Sequence, residues 1–146
     1  MVAGAYLLRR TEHPRATIAV MGAVVPEALA AAERLEAVGV PADVVVVTSP
    51  GLLFRALRAR QGLDLGTGEP AWILGQAFPA DRAAPLITVL DGHPHTLAFL
   101  ATINRVPHAA LGVAQFGQSG SIEDLYRDNG IDTDSIIRAA LDLAGS

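Results

Sequence analysis

The sequence predicts an α/β fold of three layers, with helices on both faces of a mostly parallel five-stranded sheet that has one antiparallel edge strand. Three observations carry that expectation. Short apolar runs alternate with segments of helical period, as in chains built from βαβ units. The runs are nearly unbroken, as strands covered on both faces are, and one of them holds four consecutive valines. Several helical segments open near a proline and close at a glycine. At 146 residues the chain fits one domain spanning 1–146.

Taken in order, Gly4 to Leu8 is short and apolar and reads as an edge strand, with residues 11–15 as a turn. Ala16 to Val25 reads as a buried strand. A helix follows, opened by Pro26 and Glu27 and closed at Gly39, with Ala28, Ala31, Ala32, Leu35 and Val38 on its inner face. Asp43 to Thr48 is the valine-rich strand. Ser49-Pro50 supplies an N-cap and a first-turn proline for a helix over 51–61 that carries Leu52, Leu53, Phe54 and Leu57.

Residues 62–85 are rich in Gly and Pro and have no clear period, yet they contain Trp72, Ile73, Leu74 and Phe78. A solvated loop has no need of four such side chains, so the segment is expected to pack on something, self-association included. Pro85 to Asp91 reads as a further buried strand. Gly92 to His95 is a turn, and Thr96 to Asn104 a short helix with Leu97, Leu100 and Ile103 inward. Ala109 to Val113 is the last strand. After the loop 116–120, Ser121 with Asp124 caps a helix to about Asn129. The final helix starts at 132–135 and turns Ile136, Ile137, Ala140, Leu141 and Leu143 inward. Right-handed crossovers are expected throughout.

Composition narrows the function. Apolar residues make up 51% of the chain, which argues against disorder. A net charge of −4 argues against nucleic-acid binding. Every basic residue is arginine, so there is no lysine for Schiff-base chemistry or for a phosphate loop. Without cysteine there are no disulfides, thiolate nucleophiles or cysteine-ligated metals. No run is long enough to span a bilayer and the N-terminus is not a signal peptide, so a cytoplasmic protein without a membrane partner is expected.

Three features could carry chemistry. Asp91, His93 and His95 follow a strand at its carboxyl end, where open α/β sheets bind ligands. They could hold a metal, or they could be ordinary loop histidines, since no established zinc spacing is present. Gly117, Gln118 and Ser119 precede a helix N-terminus and could cradle a phosphate, or simply form a tight connection capped by Ser121. Ser119 also sits in part of a nucleophile-elbow pattern, but Ser121 stands where that pattern needs glycine. Arg55, Arg58 and Arg60 share one side of a helix and could meet an anionic ligand or an acidic partner, or be a solvated stripe.

Taken together, several segments resemble the C-terminal domain of transketolase-like and 2-oxo acid dehydrogenase enzymes. They are Gly4-Ala5-Tyr6-Leu7-Leu8, then Thr17 to Val24 with its glycine-containing turn, then Val40 to Ser49. Leu111-Gly112-Val113 through Phe116-Gly117-Gln118-Ser119-Gly120-Ser121, followed by Glu123-Asp124-Leu125-Tyr126 and Gly130-Ile131, is the most specific block. The length of 62–85 looks closer to the homodimeric pyruvate dehydrogenase type, whereas Asp91-Gly92-His93-Pro94-His95 matches neither branch.

The resemblance implies a structural and assembly domain of a thiamine-diphosphate- and Mg-dependent enzyme. The cofactor would be bound by other domains or subunits and none by this chain, which would carry no catalytic residue. It also implies a homo-oligomer, with this domain supporting the dimer. The alternative is a free-standing module that binds a small ligand or a metal through Asp91, His93, His95 and the Gly117–Ser119 loop.

Overall fold

The computed structural model describes residues 4–62, 72–113, 127 and 130–144. Among them lies one five-stranded sheet in the order β1-β3-β2-β4-β5. Its strands are β1 (Ala5–Arg9), β2 (Ala16–Met21), β3 (Ala42–Val47), β4 (Leu86–Leu90) and β5 (His108–Leu111). β1 runs antiparallel to β3 at the edge, with a register irregularity between Leu7 and Arg9; the other pairings are parallel.

Alternation along the buried strands sorts side chains between two cores. On one face Ile18, Val20, Val44, Val46, Ile87 and Val89 meet Ala28, Ala31, Ala32 and Leu35 of helix α1 (Val25–Ala37). Ile136 and Ala140 of the final helix of the described residues, Thr133–Ala144, close the same core. On the other face Ala19, Val45, Val47, Leu86 and Leu90 meet helix α2 (Pro50–Arg60), helix α3 (Trp72–Ala77) and the 3₁₀ helix Pro94–Thr102. The Thr133–Ala144 helix is α4 below. Each large side chain buried in these cores contributes about 1.5–3 kcal/mol relative to exposure.

The layering follows from handedness. The β2-to-β3 connection runs one way across the sheet, and the β3-to-β4 and β4-to-β5 connections run the other way. Right-handed crossovers place oppositely directed connections on opposite faces. α1 is indeed on one face and α2, α3 and the 3₁₀ helix on the other.

Several expectations are corrected. The strand expected to reach Val25 ends at Met21, because Gly22–Val24 already forms a 3₁₀ turn leading into α1. Val38 lies beyond the last turn of α1 and is 66% exposed rather than inward. Leu141 is exposed on the outer side of α4. The stretch expected to be irregular contains α3, which buries Ile73, Leu74 and Ala77, with Phe78 beside them. Trp72, by contrast, is 48% exposed. The helix expected over 96–104 is a 3₁₀ helix opened by Pro94, in which Leu97 and Leu100 are buried, with Ile103 just past its end.

Candidate functional site at the carboxyl edge of the sheet

The chain leaves β2 toward β3 and leaves β4 toward β5, in opposite directions. The crevice between the carboxyl ends of β2 and β4 is therefore a topological switch point, the usual ligand position in such sheets. Asp91 follows β4 at this point and Gly22 follows β2.

Asp91, though exposed, reaches across this point. Its Oδ2 accepts a hydrogen bond from the backbone N–H of Ala23 at 3.3 Å. That N–H belongs to the 3₁₀ turn ahead of α1, where helix geometry leaves donors free and favours negative charge. The carboxylate stands where a ligand's anionic group would otherwise sit. Gly22 makes the approach possible. It has φ of +85°, and a Cβ there would lie 2.2 Å from Asp91 Oδ1. On the far side, the backbone N–H of Val113 donates to Gly92 O at 2.8 Å.

His93 and His95 are exposed on the same loop, their rings 4.5 Å apart between centroids and edge-on. The backbone N–H of His95 donates to His93 Nδ1 at 3.2 Å, which caps the start of the 3₁₀ helix. Among the described residues no group of three His, Cys, Asp or Glu side chains is arranged to hold a metal ion. Gly117, Gln118 and Ser119 lie outside the described residues, and so does the helix expected after Ser121, apart from Arg127.

The arginine stripe divides. Arg58 lies over the Phe54 ring at 5.7 Å, and Phe54 meets Phe99 edge-on at 5.3 Å. Arg60 instead donates to Ile103 O, tying the end of α2 to the end of the 3₁₀ helix.

A second polar cluster was not visible in the sequence. Asp43, buried at the start of β3, takes a two-pronged contact from Arg82 and a hydrogen bond from Thr11 N at 2.8 Å. Arg82 also donates to Thr11 O. The hydrogen bonds it donates to Asp43, and the charge of that carboxylate, hold the Arg82 guanidinium above its usual range, against the opposing effect of burial. The adjoining cavity, of about 20 Å³, has room for one water and not for a ligand. The cluster ties the β1–β2 turn and the segment before β4 to β3.

The conserved pattern of the transketolase-like TK C-terminal domain matches residues 4–132. No curated protein matches the chain. Among solved structures, transketolase from Campylobacter jejuni subsp. jejuni superposes with a TM-score of 0.66 at 20% identity, over 96% of this chain and 18% of that one. Transketolase from Leishmania mexicana gives 0.68 at 20%, over 98% and 18%. A split-gene transketolase, described as an inactive beta4 tetramer, gives 0.70 at 19%, over 98% and 43%. At such identities the likeness shows the fold, and the chain spans less than half the length of each of these proteins.

Proposed function

Since the chain belongs to the transketolase-like C-terminal domain family, we propose that it is the structural and assembly part of a thiamine-diphosphate-dependent enzyme of transketolase or 2-oxo acid dehydrogenase type. In this reading it is not catalytic alone, it works in the cytoplasm, and other domains or subunits hold thiamine diphosphate and Mg²⁺. The observation that carries the reading is the contact at the switch point: Asp91 already takes the Ala23 N–H, a donor that a ligand anion there would use. In this reading no step of the reaction is assigned to this chain.

Calorimetric titration of the chain with thiamine diphosphate and Mg²⁺ tests the proposal. The expected result is no saturable heat, and tight binding contradicts it. Self-association belongs to the same reading, supported by exposed Trp72 and Phe54. Sedimentation is expected to show mass rising with concentration, and less so in Trp72→Ser. A clean monomer at high concentration counts against it.

A further inference from the structure

At the opposite, amino edge of the sheet, α2 ends and the 3₁₀ helix turns into β5. Arg60, Gln61, Ala101, Thr102, Arg105 and Val106 line an open groove there, of about 620 Å³. Two guanidiniums and an amide belong to its lining, and among the described residues no carboxylate does. In a chain of net charge −4 that is a local reversal of sign. Like charges sharing a concavity repel each other until an anion lies between them.

Arg105 sharpens the case. It has φ of 53°, the left-handed region, and is alone among the described non-glycine residues in doing so. The N–H of Val106 bonds to Ala101 O, which places Arg105 at the position of a helix-ending turn where glycine is the usual residue. A bulky side chain there is strained, and strain held at a concave surface points to use of that side chain.

The ordinary explanation is that arginines near helix ends complement the helix dipole. That would be met by an arginine anywhere in the last turn and does not call for the left-handed position. Arg60 is fixed by its bond to Ile103 O, and Arg105 forms no ion pair among the described residues.

We propose that this groove binds the phosphate group of a small molecule, gripped between Arg60 and Arg105 with Gln61 as a further donor. Guanidinium forks suit phosphate geometry, and the volume lies in the range of small-ligand sites. The site is separate from the Asp91 loop and does not depend on the assembly reading.

The test is an NMR titration of the 146-residue chain at constant ionic strength, with inorganic phosphate in one arm, glycerol phosphate in another and chloride as control. Saturable shifts at residues 60–61 and 101–106 are expected with either phosphate and not with chloride. Tighter binding of glycerol phosphate would identify an ester, and tighter binding of inorganic phosphate the free ion. Arg105→Gly suits the turn, so it is expected to stay folded while binding weakens about tenfold or more, and Arg105→Lys is expected to recover part of the loss. Absence of saturable shifts with both phosphates, or unchanged binding in folded Arg105→Gly, overturns the proposal.

Discussion

Asp43 and Arg82 form a two-pronged ion pair, with Nε 3.0 Å from Oδ2 and a terminal guanidinium nitrogen 3.0 Å from Oδ1. Only 4% of the Asp43 side chain and 11% of the Arg82 side chain are exposed. Removing one partner from such a pair leaves an uncompensated buried charge. Asp43→Ala is expected to destabilise the chain by about 3–5 kcal/mol, and it also leaves the Thr11 N–H without its acceptor. Replacing both partners by apolar residues, Asp43→Leu with Arg82→Met, is expected to recover much of that loss. Urea denaturation of the two variants, read as midpoints at unchanged slope, checks both statements.

A second pair is held by space alone. Because a Cβ at residue 22 would meet Asp91 Oδ1 at 2.2 Å and the backbone there has positive φ, Gly22→Ala is expected to destabilise by about 1–3 kcal/mol. The obstructing atom is the end of a side chain. Adding Asp91→Ala is therefore expected to relieve the clash and leave the backbone penalty, so the two substitutions combine to less than their sum. A thermal-denaturation double-mutant cycle measures that coupling.

Those two relationships mark what the sequence could and could not disclose. The sheet was legible because burial on both faces forces unbroken apolar runs such as Val44 to Val47. α1 was legible because Ala28, Ala31, Ala32 and Leu35 repeat at helical spacing. Leu97, Leu100 and Ile103 recur every three residues, which is the 3₁₀ period, although the segment reads equally well as an α-helix. α3 has only six residues, too few to establish a period. Val38 and Leu141 continue an apolar pattern past the point where a neighbouring layer covers it. Asp91 was placed by the rule for strand carboxyl ends. Its partner Ala23 is 68 residues away, and Arg82 is 39 from Asp43. Such pairings come from the packed fold and leave no local signal.

His108 gives a pH dependence. It sits at the start of β5 with Nε2 2.9 Å from the Thr88 hydroxyl, and burial pushes its pKa below the usual 6.5. The unfolded chain therefore takes up the proton first as pH falls. His108 adds no instability above about 6.5, and stability is lost as pH drops from there through the folded pKa. His108→Gln is expected to flatten that part of the profile. Urea midpoints at about pH 7.5 and about pH 5.5 for both proteins check it, and an unchanged difference between them would refute the assignment.

At Gly112 the obstruction is backbone. A Cβ there would lie 2.6 Å from Gly92 O, 2.7 Å from Pro94 N and 2.8 Å from Pro94 Cα. None of these atoms can swing aside as the Asp91 carboxylate can. Gly112→Ala must push the Gly92–Pro94 segment away from the end of β5 and strain the Val113 N–H bond to Gly92 O. The expected cost is about 2–3 kcal/mol, at the upper end for one added methyl group. Asp91→Ala is not expected to rescue it, in contrast to Gly22→Ala. Because the displaced segment carries His93, whose ring lies 4.5 Å from that of His95, both ring resonances are expected to shift in Gly112→Ala. NMR of the histidine rings, read beside the denaturation midpoint, decides whether the loop has moved or the strand end has merely loosened.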